Sequence, residues 1–362
     1  MRRGRSEEQV GVPPPPPLKA PNESDVTSAW QGARSDPLVS VVCHAFNHER
    51  FIADALEGFL AQRTQFAFEV IVRDDASVDS TRQLISSYAE RYPAIVRPVF
   101  EISNRYSQGV LPSSCTLPLA RGQFVALCEG DDYWCDAEKL QRQVDLLVCS
   151  PRCGMAIHPA TRAHLDADGV WHCRTFCDHS TQLEDIPVSA IFALGTQFAP
   201  TSSYLFRAAC IPRWSSFASA NAPTYEDFFL ECIGSQGQFA YQPQSMSVYR
   251  WGHEGSFTHS HRRADGEKLL ADFRKNASAT RSLVSEPGVS ERDISRRDSI
   301  ARRNCLRSLM RIGAIPQIAL LAESGGLDEI SLIERCAVAA SENVPGLASA
   351  AWRVWRAVKP LR

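Results

Sequence analysis

Apolar residues in the first half of the chain alternate between short continuous runs and helical spacing. Runs in which apolar residues predominate cover residues 38–43, 68–72 and 124–127, and residues 95–100 are a further candidate strand. Short runs rich in β-branched residues are typical of strands buried on both faces. Between the runs, apolar residues recur every three to four positions. This spacing predicts helices that begin near Asn47, near Ser77 or Asp79, and near Asp136.

The alternation of strand and helix predicts an α/β fold with a Rossmann-type, mostly parallel sheet flanked by helices. Residues 1–36 contain the proline tract Pro13–Pro17 and few core-forming residues, so we expect a disordered, Pro-rich N-terminal tail. Residues 37–260 are expected to form the α/β domain. Residues 261–362 contain helical patterns separated by Gly and Pro, which predicts a helical C-terminal extension.

Composition narrows the classes of function. The formal net charge of −2 argues against a nucleic-acid-binding protein, which usually carries a basic excess. The basic N-terminus is not followed by an apolar stretch, and no run approaches the ~18 apolar residues that span a bilayer. We therefore expect a cytoplasmic protein whose twelve cysteines are mostly reduced and buried.

An acidic cluster follows the predicted strand at residues 124–127 and consists of Glu129, Asp131 and Asp132. Ligands of parallel sheets collect at the carboxyl ends of the strands, where such a cluster would lie. Carboxylates crowded together repel each other unless a cation neutralises them, and Mg²⁺ or Mn²⁺ held together with substrate phosphates suits this role. A solvated turn with helix-capping acids is the alternative explanation.

A second acidic pair, Asp74 and Asp75, follows the predicted strand at residues 68–72. Either carboxylate could accept a hydrogen bond from an N–H group of a nucleobase. Capping acids commonly follow strands as well, so this pair alone indicates little about function.

Three segments taken in order resemble glycosyltransferase family 2: residues 39–47, residues 74–81 and residues 129–134, with Arg121-Gly122 before the acidic strand. The resemblance extends over residues 38–260 and implies a GT-A catalytic domain. It also implies a metal-dependent enzyme that transfers a sugar from a nucleotide-sugar donor, with uridine as the expected nucleoside.

The resemblance assigns roles to particular residues. It implies donor-binding roles for Phe46, Asn47, Asp74, Asp75, Glu129, Asp131 and Arg250. It implies metal-binding roles for Asp131, Asp132 and His253. Glu129 stands where the family more commonly has Asp, and His253 falls one residue later than in the family's Tyr-Arg-x-His element.

The segment Tyr225–Leu230 lies where such enzymes keep a catalytic acid before an apolar helix. By this resemblance Asp227 is the expected general base, with Glu226 as the alternative. The role of the base is to take the proton of the acceptor hydroxyl. A single base with direct attack implies inversion at the anomeric carbon, since no second nucleophilic carboxylate stands out. Two acids in the first turn of a helix, favoured by the helix dipole, are the alternative explanation.

The expected function is therefore sugar transfer to a glycan, lipid-linked or protein acceptor in the synthesis of cell-surface polysaccharide or glycan. A nucleotidyltransferase and a non-catalytic sugar-nucleotide-binding or scaffold protein are alternatives. The first of these usually has a Gly-rich loop after its first strand, which residues 44–50 lack. The C-terminal segment with Trp352 and Trp355 beside Arg353 and Arg356 could make peripheral contact with the inner face of a membrane, and docking on the catalytic domain is the alternative.

Overall fold

The computed structural model describes residues 8–31, 36–194, 197–253 and 265–323. Its strands are β1 Gln9–Val10, β2 Val39–Ala45, β3 Phe68–Asp74, β4 Val96–Phe100, β5 Phe124–Leu127, β6 Tyr133–Trp134, β7 Met155–Ile157, β8 Ala160–Leu165, β9 Trp171–Phe176, β10 Glu184–Pro187, β11 Leu205–Arg207, β12 Gln238–Tyr241 and β13 Ser247–Arg250. The helices of the first half are α1 Glu23–Thr27, α2 Ile52–Leu60, α3 Thr81–Arg91, α4 Pro112–Thr116 and α5 Lys139–Cys149. Those of the second half are α6 Ser189–Phe192, α7 Ile211–Asn221, α8 Asp227–Gly234, α9 Gly266–Arg281, α10 Glu291–Ile312 and α11 Ile315–Glu323.

The described residues form a central eight-stranded sheet with the order β10-β12-β7-β11-β5-β2-β3-β4. Strands β5, β2, β3 and β4 run parallel to one another, whereas β11 pairs antiparallel with both β5 and β7. Val41 of β2 lies opposite Val70 of β3 and Ala126 of β5, so these three strands end at the same edge. The predicted α/β fold with a mostly parallel sheet is confirmed.

Two hydrophobic cores cover the faces of this sheet. Val41 and Cys43 of β2 face a core that includes Phe59 of α2 and Leu140 of α5. Val42 faces the opposite core, which α6, α7 and α8 complete. Successive residues of a strand point to opposite faces, so a strand buried on both faces is mainly apolar. The strands follow this pattern, and their buried polar side chains are paired: Ser40 donates to Glu69, and Arg73 forms an ion pair with Asp75.

A second, five-stranded sheet has the order β1-β9-β8-β13-β6. Its strand β6 begins directly after the acidic cluster and pairs antiparallel with β13. This pairing joins Tyr133 to Val248 and brings residues 250–253 beside residues 131 and 132. The second sheet therefore delivers a distant part of the chain to the edge where the parallel strands end.

The prediction of a disordered tail is wrong for residues 8–31. Strand β1 pairs with β9, and the Tyr133 hydroxyl donates a hydrogen bond to the carbonyl of Pro15. The Tyr92 hydroxyl donates to the carbonyl of Pro21, and Val26 of α1 is buried. The segment lacks a core of its own, but the domain supplies partners for its backbone carbonyls, which the composition of the segment cannot indicate.

The C-terminal helices α9, α10 and α11 form a small core of their own around Leu269, Leu306, Leu309 and Leu321. Ala279 and Ile294 also belong to the core of the central sheet, so these helices pack against the α/β domain.

The predicted domain boundary at residue 260 stays a prediction. The segment with Trp352 and Trp355 lies outside the described residues. In the described part of the chain, no helix combines the length and apolarity that crossing a bilayer requires.

The close approach of the segment before β5 to β2 gives a test of the fold. A Cβ atom added at Gly122 would lie 2.6 Å from the backbone nitrogen of Ser40, inside a paired strand. We expect Gly122→Ala to lower the free energy of unfolding by about 3 kcal/mol, since a packed backbone must move. Chemical denaturation measures this change.

Gly169→Ala is the control for loss of a glycine. Nothing lies within 4 Å of a Cβ at this position, although its φ is +76°. Backbone strain alone should cost about 1 kcal/mol. Equal losses in the two variants would contradict the proposed clash at Gly122.

Candidate active site

The loops that follow β2 and β3 are hydrogen-bonded to each other at the edge of the sheet. The Asn47 side chain accepts a hydrogen bond from the backbone of Val78 at 2.9 Å, and the Asn47 backbone donates to the Ser77 hydroxyl at 2.8 Å. Asn47 has a φ of +56°, a conformation that Asn tolerates better than most residues. Its predicted role as a helix cap is wrong, because α2 begins at Ile52 with Phe51 as N-cap.

Phe46 lies in the same loop and is 41% exposed, so its ring is available to a ligand at this edge. The side chain of Asn47 contacts the neighbouring loop. Its predicted contact with the donor stays a prediction. The donor-binding role of Phe46 stays a prediction.

Asp74 and Asp75 are both buried, and both carboxylates already have partners. Asp74 lies 3.4 Å from Arg82 and accepts a hydrogen bond from the backbone of Ser77. Asp75 accepts hydrogen bonds from the backbone N–H groups of Arg105 and Tyr106 at 2.9 and 3.0 Å. Two N–H groups thus already occupy the Asp75 carboxylate.

A nucleobase could bind Asp75 only by replacing the amides of Arg105 and Tyr106 or by sharing the carboxylate with them. Arg73, which is buried, forms ion pairs with Asp75 at 2.6 Å and with Glu101 at 3.0 Å. The donor-binding roles of Asp74 and Asp75 stay predictions.

Glu129 begins the acidic cluster and contacts a buried histidine. The distance from His44 Nδ1 to Glu129 Oε1 is 3.3 Å, and His44 Nε2 lies 2.9 Å from the Thr116 hydroxyl. Burial opposes protonation of His44, but the Glu129 carboxylate outweighs it and raises the pKa of His44 above its ordinary value. His44 therefore supplies partial positive charge beside Glu129.

Two histidines lie near the carboxylate of Asp131. Its Oδ2 atom lies 3.0 Å from His253 Nε2 and 4.0 Å from His48 Nε2. Burial opposes ionisation of Asp131, but the hydrogen bond with His253 and the nearby His48 hold its pKa below the ordinary value. The predicted proximity of Asp131 and His253 is present in the structure, even though 121 residues separate them.

Asp132 faces β13 and contacts its backbone. Its Oδ1 atom accepts a hydrogen bond from the backbone of Arg250 at 2.9 Å, and the side chain is 4% exposed. Burial and the neighbouring Asp131 raise the pKa of Asp132 well above its ordinary value. This carboxylate anchors the second sheet through the backbone of Arg250, and the expected role of Asp132 as a metal ligand stays a prediction. Asp131 and His253 remain as the candidate pair.

The Arg250 side chain holds the acidic loop in place. It forms an ion pair with Asp54, and its guanidinium donates to the carbonyl oxygen of Asp131 at 2.9 Å. The guanidinium carbon also lies 4.4 Å from the ring centroid of Tyr133 and 5.1 Å from that of Phe51. Arg250 thus positions the acidic loop, and its expected contact with the donor stays a prediction.

Glu226 and Asp227 lie at the start of α8, where the helix N-terminus favours negative charge. The Ser113 hydroxyl donates to Glu226 at 2.6 Å. Burial, followed by the charges of Glu226 and Glu129, raises the pKa of Asp227 to about 7. A carboxyl that titrates near neutral pH can accept a proton from a substrate hydroxyl, as a general base must.

Helix α4 connects the acidic cluster with the start of α8, because Ser113 donates to Glu226 and Thr116 contacts His44, which in turn contacts Glu129. Tyr106 belongs to this site as well. Burial, with the charges of Glu226, Asp227 and Glu129 among the further causes, raises its pKa to about 12. The loop that binds Asp75 therefore also borders the candidate base.

Five residues of the site were not predicted from the sequence: His44, His48, Tyr106, Ser113 and Thr116. Two histidines in the loop that follows the first buried strand were the available signal. The other three lie between β4 and β5, where the sequence shows no periodic pattern, so no signal marked them.

The chemistry of Asp131 and His253 suits a divalent cation. No cluster of three or more His, Cys, Asp or Glu side chains arranged to hold a metal is present in the part of the chain that the structure describes. Mn²⁺ or Mg²⁺ would therefore need further oxygen ligands, which the diphosphate of a nucleotide-sugar supplies. An ion shared between protein and substrate fits a site with few protein ligands.

Residues 40–158 match the sequence model of Glycosyl transferase family 2. The chain is 36% identical over 215 residues to the uncharacterized protein Rv1520 of Mycobacterium tuberculosis, which covers 59% of this chain and 58% of that protein. It is 31% identical over 219 residues to the uncharacterized glycosyltransferase alr2836 of Nostoc, which covers 59% of this chain and 64% of that protein. The chain thus spans less than two thirds of these relatives.

A shorter match joins the chain to a relative with a specific name. It is 30% identical over 111 residues to WfaP of Escherichia coli, named as a UDP-Glc:α-D-GlcNAc-diphosphoundecaprenol β-1,3-glucosyltransferase, with 30% of this chain and 41% of WfaP covered. In fold, the chain resembles Staphylococcus aureus TarS residues 1–349, crystallised with UDP-GlcNAc. The TM-score is 0.61 at 15% identity, with 90% of this chain and 93% of TarS covered.

These findings support the expected class: residues 40–158 match glycosyltransferase family 2, and the chain has the GT-A-like fold of its structural neighbours. The roles of its individual site residues stay proposals.

The raised pKa of Asp227 predicts a pH-dependent change in stability. The folded-state pKa of about 7 lies above the ordinary 3.8, so ionisation destabilises the folded protein as the pH rises between these values. We expect Asp227→Asn to be more stable than wild type at pH 8, by up to about 4 kcal/mol, and similar at pH 4.

Thermal denaturation at the two pH values measures the difference. Asp168→Asn, in an exposed turn, is the control and should show no such dependence. An Asp227→Asn variant that is less stable than wild type at both pH values would contradict a raised pKa.

Proposed function

We propose that the protein transfers a sugar from a UDP-sugar to an acceptor hydroxyl with inversion and with the help of Mn²⁺ or Mg²⁺. The observation that carries the proposal is the joint presence of Asp131, His253 and Asp227 around the edge where β2, β3 and β5 end. A candidate cation site and a carboxyl with a near-neutral pKa are the two groups that such a transfer requires.

The donor side of the reaction is the release of the nucleoside diphosphate. A divalent ion held by Asp131 and His253 would offset the negative charge that develops on the departing diphosphate. Arg250 holds the Asp131 backbone, and Asp132 holds the backbone of Arg250, so the Asp131 carboxylate is positioned before the donor binds. This preorganisation avoids rearrangement during the reaction.

The acceptor side of the reaction is the activation of a hydroxyl. Asp227 would remove the hydroxyl proton while the oxygen attacks the anomeric carbon. The bond from that carbon to the diphosphate oxygen breaks, and the proton remains on Asp227. Direct attack by the acceptor gives inversion. Glu226 would raise the basicity of Asp227 through its own charge.

Uridine as the nucleoside is supported by TarS, which was crystallised with UDP-GlcNAc, and by the name of WfaP. The name of WfaP also supports a lipid-linked sugar as acceptor and a role in the synthesis of surface polysaccharide. A cytoplasmic location with contact to the inner face of the membrane agrees with such an acceptor and stays a prediction.

The donor site can be tested by ligand-induced stabilisation. We expect UDP with Mn²⁺ to raise the melting temperature of the wild-type protein by about 5 °C at a hundredfold excess over its Kd. Asp131→Asn should lose most of this shift, because it removes a negative ligand of the ion. Differential scanning fluorimetry measures both proteins.

Asp168→Asn is again the matched control, since it removes one aspartate charge far from the site, and it should respond as wild type. An equal shift in Asp131→Asn and wild type would rule out Asp131 as a ligand. A wild-type protein that does not respond to any nucleoside diphosphate with Mn²⁺ would contradict the proposed donor.

The proposed base predicts a pH profile. Because Asp227 must be deprotonated, kcat/KM for donor turnover should rise with pH and level off above an apparent pKa near 7. Glu226→Gln should lower that apparent pKa, since the charge of Glu226 contributes to raising it. Turnover is followed through UDP release.

Asp227→Asn should reduce transfer by about 10²- to 10⁴-fold. The same variant should keep the thermal shift with UDP and Mn²⁺. Transfer at a wild-type rate in Asp227→Asn would require a different base. A variant that loses UDP binding as well would point to a structural role for Asp227.

A further inference from the structure

A buried histidine at the end of β2 lies against the carboxylate that begins the acidic cluster. The side chain of His44 is 8% exposed, whereas that of Glu129 is 36% exposed and is accessible from the edge of the sheet. The distance from His44 Nδ1 to Glu129 Oε1 is 3.3 Å. The carbonyl of His44 also accepts a hydrogen bond from the backbone of Gly130 at 2.9 Å. One residue thus contacts both the side chain of Glu129 and the backbone that follows it.

The other nitrogen of the His44 ring contacts α4. Its Nε2 atom lies 2.9 Å from the Thr116 hydroxyl, and both side chains are buried. The hydroxyl has a single proton, which it donates to the carbonyl of Pro112 at 3.2 Å. The Thr116 oxygen therefore accepts from the ring, and Nε2 of His44 carries a proton.

The Nδ1 atom of His44 carries a proton as well when Glu129 is ionised. A carboxylate can only accept hydrogen bonds, so an unprotonated Nδ1 would place two acceptors 3.3 Å apart. Burial opposes the charge of the ring, but the Glu129 carboxylate raises the pKa of His44 above its ordinary value, which agrees with this assignment. His44 thus donates from both ring nitrogens, one to Glu129 and one to Thr116.

The length of the Glu129 side chain makes this contact important. A glutamate carboxylate turns about one more bond than that of an aspartate, so more freedom is lost when a ligand fixes it. A hydrogen bond that is already present in the free protein lowers this cost of binding. His44 therefore prepares the Glu129 carboxylate for a ligand before the ligand arrives.

We propose that His44 is a positioning residue that fixes the Glu129 carboxylate for the donor, with α4 fixing the imidazole ring in turn. The proposal rests on the UDP-sugar donor proposed above. Helix α4 also holds the start of α8, because the Ser113 hydroxyl donates to Glu226 at 2.6 Å. The same helix thus supports the donor carboxylate and the segment that carries the candidate base.

Isothermal titration calorimetry of UDP in the presence of Mn²⁺ tests the role of His44. His44→Ala removes both donors of the ring, and we expect the Kd to rise about tenfold. His44→Asn keeps a donor toward Glu129, because its amide nitrogen is bonded to Cγ, as Nδ1 is in histidine. Its hydrogen bond to the carboxylate lacks the positive charge, so we expect its Kd to lie within about threefold of wild type.

A double-mutant cycle tests whether His44 acts through Glu129. Glu129→Ala should itself weaken the binding of UDP. In this background, His44→Ala should change the Kd by less than about twofold, because the carboxylate that it positions is absent. The same tenfold loss in both backgrounds would show that His44 acts in another way and would overturn the proposal.

Thr116→Val tests the contribution of α4. This variant removes the partner of His44 Nε2, and we expect the Kd for UDP to rise about threefold. Thr280→Val is the matched control, since that buried hydroxyl also donates to the carbonyl four residues earlier, that of Asn276 at 2.8 Å, but lies in α9. It should bind UDP as wild type does. Equal losses in the two variants would contradict the role of α4.

The remaining outcomes separate this proposal from the proposed reaction. A wild-type protein that binds no UDP with Mn²⁺ would contradict the donor and the role of His44 with it. If wild type binds UDP, an equal Kd in His44→Ala, or equally weak binding in His44→Ala and His44→Asn, would overturn the positioning role alone. Thermal denaturation confirms that each variant is folded before it is compared.

Discussion

Mutual repulsion of carboxylates is the constraint on which the site depends. Glu129, Asp131, Asp132, Glu226 and Asp227 gather at one edge of the sheet, and burial or a neighbouring carboxylate raises the pKa of three of them. Arg250, His44, His48 and His253 lie beside these carboxylates. Burying several carboxylates together costs free energy unless a cation neutralises them. A divalent cation that also binds a diphosphate would supply this neutralisation.

In this fold, the two sheets meet at the acidic cluster. The parallel strands deliver the acids, because the residues that follow β2 and β5 emerge side by side. Strand β6 follows Asp132 immediately and pairs with β13, which delivers Arg250 and His253. The third contribution comes from α8, whose N-terminus carries Asp227 and whose other side packs toward the C-terminal helices.

The sequence was sufficient for the parallel strands, since apolar residues predominate in β2, β3 and β5, as expected of strands covered on both faces. The resemblance to the family also assigned Asp131 and His253 to the same metal site. It did not reveal that Asp75 and Asp132 bind backbone amides, because those partners are brought close by tertiary structure alone. The packing of residues 8–31 was missed for the same reason: its hydrogen bonds join positions more than seventy residues apart.

The most direct measurement is the position of manganese in crystals grown with UDP and Mn²⁺, located by anomalous scattering. The account predicts one strong peak within bonding distance of Asp131 and His253, with the diphosphate oxygens completing its coordination. A peak bound to the diphosphate but remote from Asp131, or UDP bound away from the edge where β2 and β5 end, would contradict the account.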